Sequence, residues 1–320
     1  MSAGIESTAT ESGTVLITGP TRGLGRAAVL AMAGRPERER PDILLVGRTG
    51  NALTQVADAA RARGAKVHEI GCDLSRLSEV RDAAAAARDL LDAGRVRPLR
   101  ALVANAGHMS ADTRAASADG FEMTFAVNYL AHAQLIGDLL GELAGPSRIV
   151  LLGSNVYSAN LGRRILRVPP ARWRDPVEIA RPATGEKPPG FEASGTAYAN
   201  AKLAILYYAH ELQRHAGPGV NVSVFEPGWM PGTALGREAP AAFQAIGRGI
   251  ARLPGVSTPD RSGPALASVA LDQRWAHLRD GAFVVKDQLT EVRPVARDQD
   301  RERRLWEATT QLLERARTLG

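Results

Sequence analysis

The chain has 320 residues, 44% of them hydrophobic and 23% charged, with a single cysteine. That balance supports a buried core and excludes a disordered chain, a disulfide-stapled domain and, since no stretch of about 18 residues is free of charge, a membrane span. The formal net charge of +6 is carried almost wholly by arginines interspersed with Asp and Glu, as over 298–315, which reads as a salt-bridged surface and not a nucleic-acid face. Residues 1–13 carry no basic segment followed by an apolar one, so they read as a flexible tail and not a leader, and with lone Cys72 a reducing, cytoplasmic setting is expected. Strand-like runs at 14–17, 43–46, 66–70, 101–104, 148–152, 220–225 and 282–285 alternate with helical patterns at 23–33, 52–63, 77–91 and 121–143. Alternation of this kind predicts an α/β fold, a doubly wound, mostly parallel sheet. Two stretches break the rhythm: a proline-rich insertion at 155–197 and a Gly/Pro/Ala-rich loop at 229–262. A final amphipathic helix is expected over 301–317, and 14–320 reads as one domain.

The first run ends in Thr18-Gly19-Pro20-Thr21-Arg22-Gly23-Leu24-Gly25, where a helix starts. Glycines at 19, 23 and 25 let the backbone turn tightly and approach a ligand. The helix start offers free N–H groups and partial positive charge, which suits a pyrophosphate. The second run ends Leu45-Val46-Gly47-Arg48-Thr49, at the point where an NAD binder places an acid on the ribose 2′-hydroxyl. Arg48 stands there instead and, with Arg22, suits a 2′-phosphate, so NADP(H) is predicted over NAD(H). The six histidines show no metal-ligand spacing, and no metal is expected.

Tyr198 and Lys202 are four apart and share one helix face. An ammonium beside a phenol favours the phenolate, so the tyrosine pKa is expected below its ordinary value of about 10. Such a phenol exchanges a proton with a carbonyl or alcohol oxygen. Asn105-Ala106-Gly107 follows the fourth run, Asn128 lies in Phe125-Ala126-Val127-Asn128, Ser154 closes the fifth run, and Pro227-Gly228 follows the sixth. Taken in order with the glycine turn and Cys72-Asp73-Leu74, the chain from Thr14 to about Val285 resembles a short-chain dehydrogenase/reductase, with a Rossmann-like fold. The long stretch between Ser154 and Tyr198 is similar to the carbonyl-reductase, retinol-dehydrogenase and protochlorophyllide-reductase branches.

The resemblance implies hydride transfer between NADP(H) and the carbonyl or secondary alcohol of a small organic substrate. Tyr198 would exchange the proton and Ser154 would hydrogen-bond the same oxygen. Lys202 would bond the nicotinamide ribose, and Asn128 would hold a water relaying protons to Lys202. Asp73 and Leu74 would flank adenine, Asn105, Ala106 and Gly107 would lie under its ribose, and Pro227 and Gly228 would position the nicotinamide, with Met230 and Thr233 following. Thr233 stands six residues beyond the proline where the family commonly has five; Ala104 and Gly153 replace a frequent asparagine and serine. The insertion implies a monomer, and Trp173 or the arginines 163, 164, 167, 172 and 174 border the pocket or form a solvated flap. Rival readings are NADPH-dependent reduction of a carbon–carbon double bond and a non-catalytic NADP sensor; the intact Ser154, Tyr198 and Lys202 argue against the sensor.

Overall fold

The computed structural model describes residues 13–158, 169–185, 190–230 and 256–319. Eight strands form one sheet in the order β3-β2-β1-β4-β5-β6-β7-β8. They are β1 (Thr14–Thr18), β2 (Asp42–Gly47), β3 (Val67–Gly71), β4 (Leu99–Ala104), β5 (Leu143–Leu152), β6 (Val220–Glu226), β7 (Ala282–Val285) and β8 (Gln288–Thr290). The first seven pair in parallel and β8 folds back antiparallel on β7. This is the doubly wound α/β sheet that the alternating runs predict. The three exposed residues of β8 carry no apolar alternation and are not visible in the sequence.

Helices cover both faces because the strands are apolar on both. Val15, Ile17, Ile43, Leu45 and Val103 face α1 (Gly23–Ala33), α2 (Asn51–Arg61) and α6 (Pro259–Leu271). Leu16, Leu44, Leu102, Ile149 and Val224 face α3 (Leu77–Asp92), α4 (Ala131–Leu139), α5 (Phe191–His215) and α7 (Gln299–Leu319). The helical stretch expected over 121–143 is composite: a turn at Met123–Phe125 runs through a π-turn at Ala126–Leu130 into α4.

Three expectations are corrected in their extent. The helix carrying Tyr198 starts at Phe191, so the irregular segment is shorter than 155–197; its described part also holds a one-turn helix at Pro176–Ile179, capped by the Asp175 carboxylate. Pro259–Leu271 is helical, which shortens the 229–262 loop, because Pro259 sits in the first turn where its missing N–H costs nothing. The last helix extends two residues beyond each end of 301–317. Residues 1–12 of the expected tail lie outside the described residues.

α7 packs on α5 and α3. Leu305, Ala308, Leu312 and Ala316 are buried on its inner face. The Tyr129 hydroxyl meets Thr309 Oγ1 at 2.5 Å, and Trp306 stacks on His215 with centroids 4.3 Å apart. Glu302, itself buried, reaches His210 Nδ1 at 2.7 Å and Arg214 at 2.6 Å.

Candidate active site

The sheet order reverses direction between β1 and β4, and in such sheets the crevice at the carboxyl ends of those strands takes the ligand. The glycine turn lies there. Gly19 donates its N–H to Val46 O at 3.0 Å and has φ +63°. A Cβ at Gly25 would fall 2.2 Å from Gly19 O and 2.5 Å from Asn105 Nδ2, so only glycine lets α1 begin this close to the turn. Leu24 is buried and anchors the helix, while Thr21 is half-buried and Arg22 exposed at the mouth. No acidic side chain occupies the first turn of α1, leaving its N–H groups and partial positive charge for an anion. The cradle fits a dinucleotide pyrophosphate.

Arg48 is exposed just past the end of β2, the strand whose Val46 carbonyl holds Gly19. Cys72 donates its N–H to Gly47 O at 2.9 Å, and burial, then the carboxylates of Glu79, Asp73 and Asp82, push its thiol up to about 12. Asp73 accepts from Ser75 N at 2.9 Å and Ser75 Oγ at 2.8 Å, and Leu74 is buried beneath the turn into α3.

The turn after β4 is tied to the glycine loop. Asn105 Nδ2 donates to Thr18 O at 2.9 Å and Gly19 O at 3.1 Å, and Thr18 Oγ1 accepts from the N–H groups of Asn105 and Ala106, both at 3.0 Å. Gly107 is exposed beyond it. Asn128, in the π-turn, is fully buried, and its amide brackets one backbone residue: Oδ1 accepts from His108 N at 2.6 Å and Nδ2 donates to His108 O at 2.7 Å. The Asn128 side chain thus holds the 105–108 turn. His132, which its sequence position does not mark out, lies beneath: Nε2 is 2.9 Å from Thr18 Oγ1 and Nδ1 3.0 Å from Asn128 O.

Ser154 follows β5 in extended conformation, and its Oγ accepts from Val156 N at 3.3 Å, which leaves its own hydrogen for another acceptor. Lys202 is 1% exposed and donates from Nζ to Leu152 O at 2.6 Å, with Nζ 5.6 Å from the Tyr198 ring centroid. Burial lowers the Lys202 pKa to about 7 against the raising influence of Glu226. The expected acidic phenol is corrected: the Tyr198 pKa stands above its ordinary value, through burial first and the Glu226 carboxylate second. The ammonium four residues on is drawn to the β5 carbonyl and its own charge is weakened by burial, so it does not reverse those effects.

Glu226, the last residue of β6, also escaped sequence reasoning; its place directly before Pro227-Gly228 was the available signal. It is 5% exposed, its Oε2 has no hydrogen-bond partner, and burial raises its pKa. Pro227 O accepts from Ser262 Oγ at 2.9 Å, and Gly228 turns the chain at φ +84°. Met230 packs against the core on the α1 side; Thr233 lies outside the described residues. Trp173 packs edge-on against Tyr207 of α5 at 4.8 Å, and exposed Arg172 pairs with Glu192 at 3.4 Å. Arg174 is exposed, and Arg163, Arg164 and Arg167 lie outside the described residues. Among the described residues, no group of three or more His, Cys, Asp or Glu could hold a metal, and no helix is long and apolar enough to cross a membrane.

Comparison with known proteins places these features in context. Residues 13–161 match the family model described as short chain dehydrogenase. A Streptomyces lividans protein named as an oxidoreductase is 31% identical over 218 residues, covering 67% of this chain and 63% of its own length. A protein of Streptomyces sp. (strain C5) named for daunorubicin C-13 ketoreduction is 33% identical over 225 residues, covering 70% of this chain and 68% of its own. Protochlorophyllide reductase B of Oryza sativa subsp. japonica is 28% identical over 324 residues, covering 94% of this chain and 77% of its own. Among solved structures, a short chain dehydrogenase from Burkholderia cenocepacia in complex with NADP superposes with a TM-score of 0.62 at 22% identity, covering 87% of this chain and 97% of its own.

Proposed function

The chain belongs to the short-chain dehydrogenase/reductase family, and from that premise we propose that it is an NADP(H)-dependent oxidoreductase that reduces the carbonyl of a small organic substrate. The observation that carries this reading is convergence: the glycine turn of β1, the Asn105 turn of β4, Ser154 after β5 and the Tyr198/Lys202 face of α5 meet at the carboxyl ends of neighbouring strands. Gly19, Gly23 and Gly25 with the start of α1 would hold the pyrophosphate. Arg48 and Arg22 would hold the 2′-phosphate, and no carboxylate follows β2 to favour NAD(H). When bound, the nicotinamide supplies hydride to the carbonyl carbon.

The chain's own part is proton transfer and positioning. Tyr198, a phenol that is protonated at neutral pH and whose pKa burial and Glu226 raise further, gives its hydroxyl proton to the carbonyl oxygen. Ser154 donates its free hydrogen to the same oxygen and stabilises the developing alkoxide. Lys202, fixed on Leu152 O, offsets the phenolate charge left on Tyr198. The relative named for ketoreduction agrees with a carbonyl in preference to a carbon–carbon double bond.

A monomer is part of the reading, since α7 of the same chain packs along α5 and touches α3. The test of function is an NADPH-consumption screen over aldehydes, ketones, quinones and conjugated enones, with products identified. Turnover of ketones or aldehydes that Tyr198→Phe abolishes is the expected result. NADPH binding without turnover of any class would favour the sensor, and saturation of the enone double bond would favour the alkene reductase.

A further inference from the structure

Thr18 sits at the junction of the glycine loop and carries one hydroxyl hydrogen. Both acceptor positions of its Oγ1 are filled, by the N–H groups of Asn105 and Ala106 at 3.0 Å each. Its hydrogen therefore points to the remaining neighbour, His132 Nε2 at 2.9 Å. That makes Nε2 an acceptor and leaves the ring proton of a neutral imidazole on Nδ1, where the Asn128 carbonyl lies 3.0 Å away to receive it. The Asn128 side chain grips the backbone of His108 on both sides. A single chain of hydrogen bonds thus runs from the turn after β4, through the end of β1, across His132, to the π-turn and back to the loop that continues the β4 turn.

We infer that His132 is a positioning residue, held in one neutral tautomer, that ties the dinucleotide crevice to Asn128. The residue is 3% exposed, and its ring spans the two groups away from solvent. Burial, with the nearby charge of Lys202, pushes its pKa down to about 4, so the neutral ring persists at physiological pH. The consequence is directional. A residue at 132 must accept from Thr18 and donate to Asn128 at once; a side chain that does neither leaves the Thr18 hydroxyl hydrogen without its acceptor in a buried place and removes the ring's bond to the Asn128 carbonyl. The crevice would then lose its fixed distance to the π-turn without losing any group that touches the ligand.

The inference rests on the functional reading only where it speaks of a dinucleotide, so the test has two readouts. Long-range ¹H–¹⁵N spectra of the full chain with ring-labelled histidine, assigned by loss of one set of signals in His132→Gln, report the tautomer at neutral pH. The expected pattern is a protonated Nδ1 and an unprotonated Nε2 for His132; the opposite tautomer or an imidazolium would overturn the inference. NADPH titration is the second readout. His132→Leu is expected to weaken NADPH binding about tenfold, whereas His132→Gln, whose amide supplies one acceptor and one donor, stays within about threefold of the parent. Equal binding by the leucine variant and the parent would overturn the coupling. If the leucine variant does not fold, the tautomer and the glutamine titration decide, and a tenfold loss in the glutamine variant counts against it. A parent chain that binds no NADPH would instead defeat the functional reading, while the spectrum would still report the tautomer.

Discussion

Lys202 donates to the carbonyl of Leu152 at 2.6 Å, so the ammonium of the Tyr198/Lys202 pair is fastened to the last residue of β5, next to the strand end that carries Ser154. This fixes α5 against the sheet at the point where Tyr198 meets Ser154's side of the crevice. Tyr198→Phe keeps that fastening and removes only the exchangeable proton. Its kcat is expected to fall by about 10² to 10⁴ with NADPH affinity nearly unchanged. Steady-state assays and NADPH fluorescence titration check both halves.

The buried ammonium has a signature in stability. With a folded pKa of about 7 against an ordinary value of 10.5, residue 202 is deprotonated in the folded chain and protonated in the unfolded chain between those limits. The unfolded state then binds more protons, so this residue's contribution to stability rises with pH across the window from about 7 to 10.5 and its burial costs most at and below pH 7. Lys202→Met removes the cost. The variant should exceed the parent in Tm at pH 7, with the gap narrowing at pH 8.5 and again at pH 10, as measured by differential scanning fluorimetry.

Arg48 separates two cofactors. Arg48→Asp replaces a donor for the 2′-phosphate with an acceptor for a free 2′-hydroxyl and adds repulsion toward phosphate. The ratio of kcat/KM for NADPH over NADH is expected to drop about a hundredfold, the worth of one or two charge-assisted hydrogen bonds. Competition assays with both cofactors at fixed substrate measure it.

Glu302 joins α7 to α5 through His210 and Arg214, with Arg214 also held by Glu211. Glu302→Gln removes the charge from a 3% exposed position and leaves Arg214 with one partner. Because Arg214 is 43% exposed, solvent screens part of the loss, and about 1 to 2 kcal/mol is expected. Urea unfolding should show a lower midpoint at unchanged slope, with kcat retained.

Gly25→Ala tests the cradle itself. The added methyl would meet the Gly19 carbonyl at 2.2 Å and the Asn105 amide at 2.5 Å, and backbone has to move to admit it. NADPH binding should weaken at least tenfold, about 1.4 kcal/mol, and Tm should drop; calorimetric titration and a thermal melt read the two effects.

The strands and helices up to β4 were readable within a residue or two because most are short apolar runs or steady helical stripes, though β3 is interrupted by His68 and Glu69. The start of α5 was not. Glu192-Ala193-Ser194-Gly195-Thr196 has the composition of a loop, and helix forms there because Ser194 and Gly195 are buried and Ser194 Oγ bonds Ala111 O at 2.9 Å. Motif spacing singles out Ser154, Tyr198 and Lys202, and Thr18 through Gly25, as candidates. His132 and Glu226 carry no motif of their own, Glu226 being marked only by its place before Pro227-Gly228, and their roles arise from contacts made in the tertiary fold. The direction of the Tyr198 shift was misread for the same reason: spacing along a helix reveals the ammonium, whereas burial and a carboxylate at the end of β6 come from the tertiary fold.

Cys72 gives the chain a practical property. Its sulfur is 3% exposed and its thiol is pushed up to about 12, so at neutral pH almost none of it is the reactive thiolate. Since it is the chain's one cysteine, a second introduced at an exposed position such as Trp229 would be the sole target of a maleimide dye. The mouth of the crevice could then be watched by single-site fluorescence with no need to strip the native sulfur first.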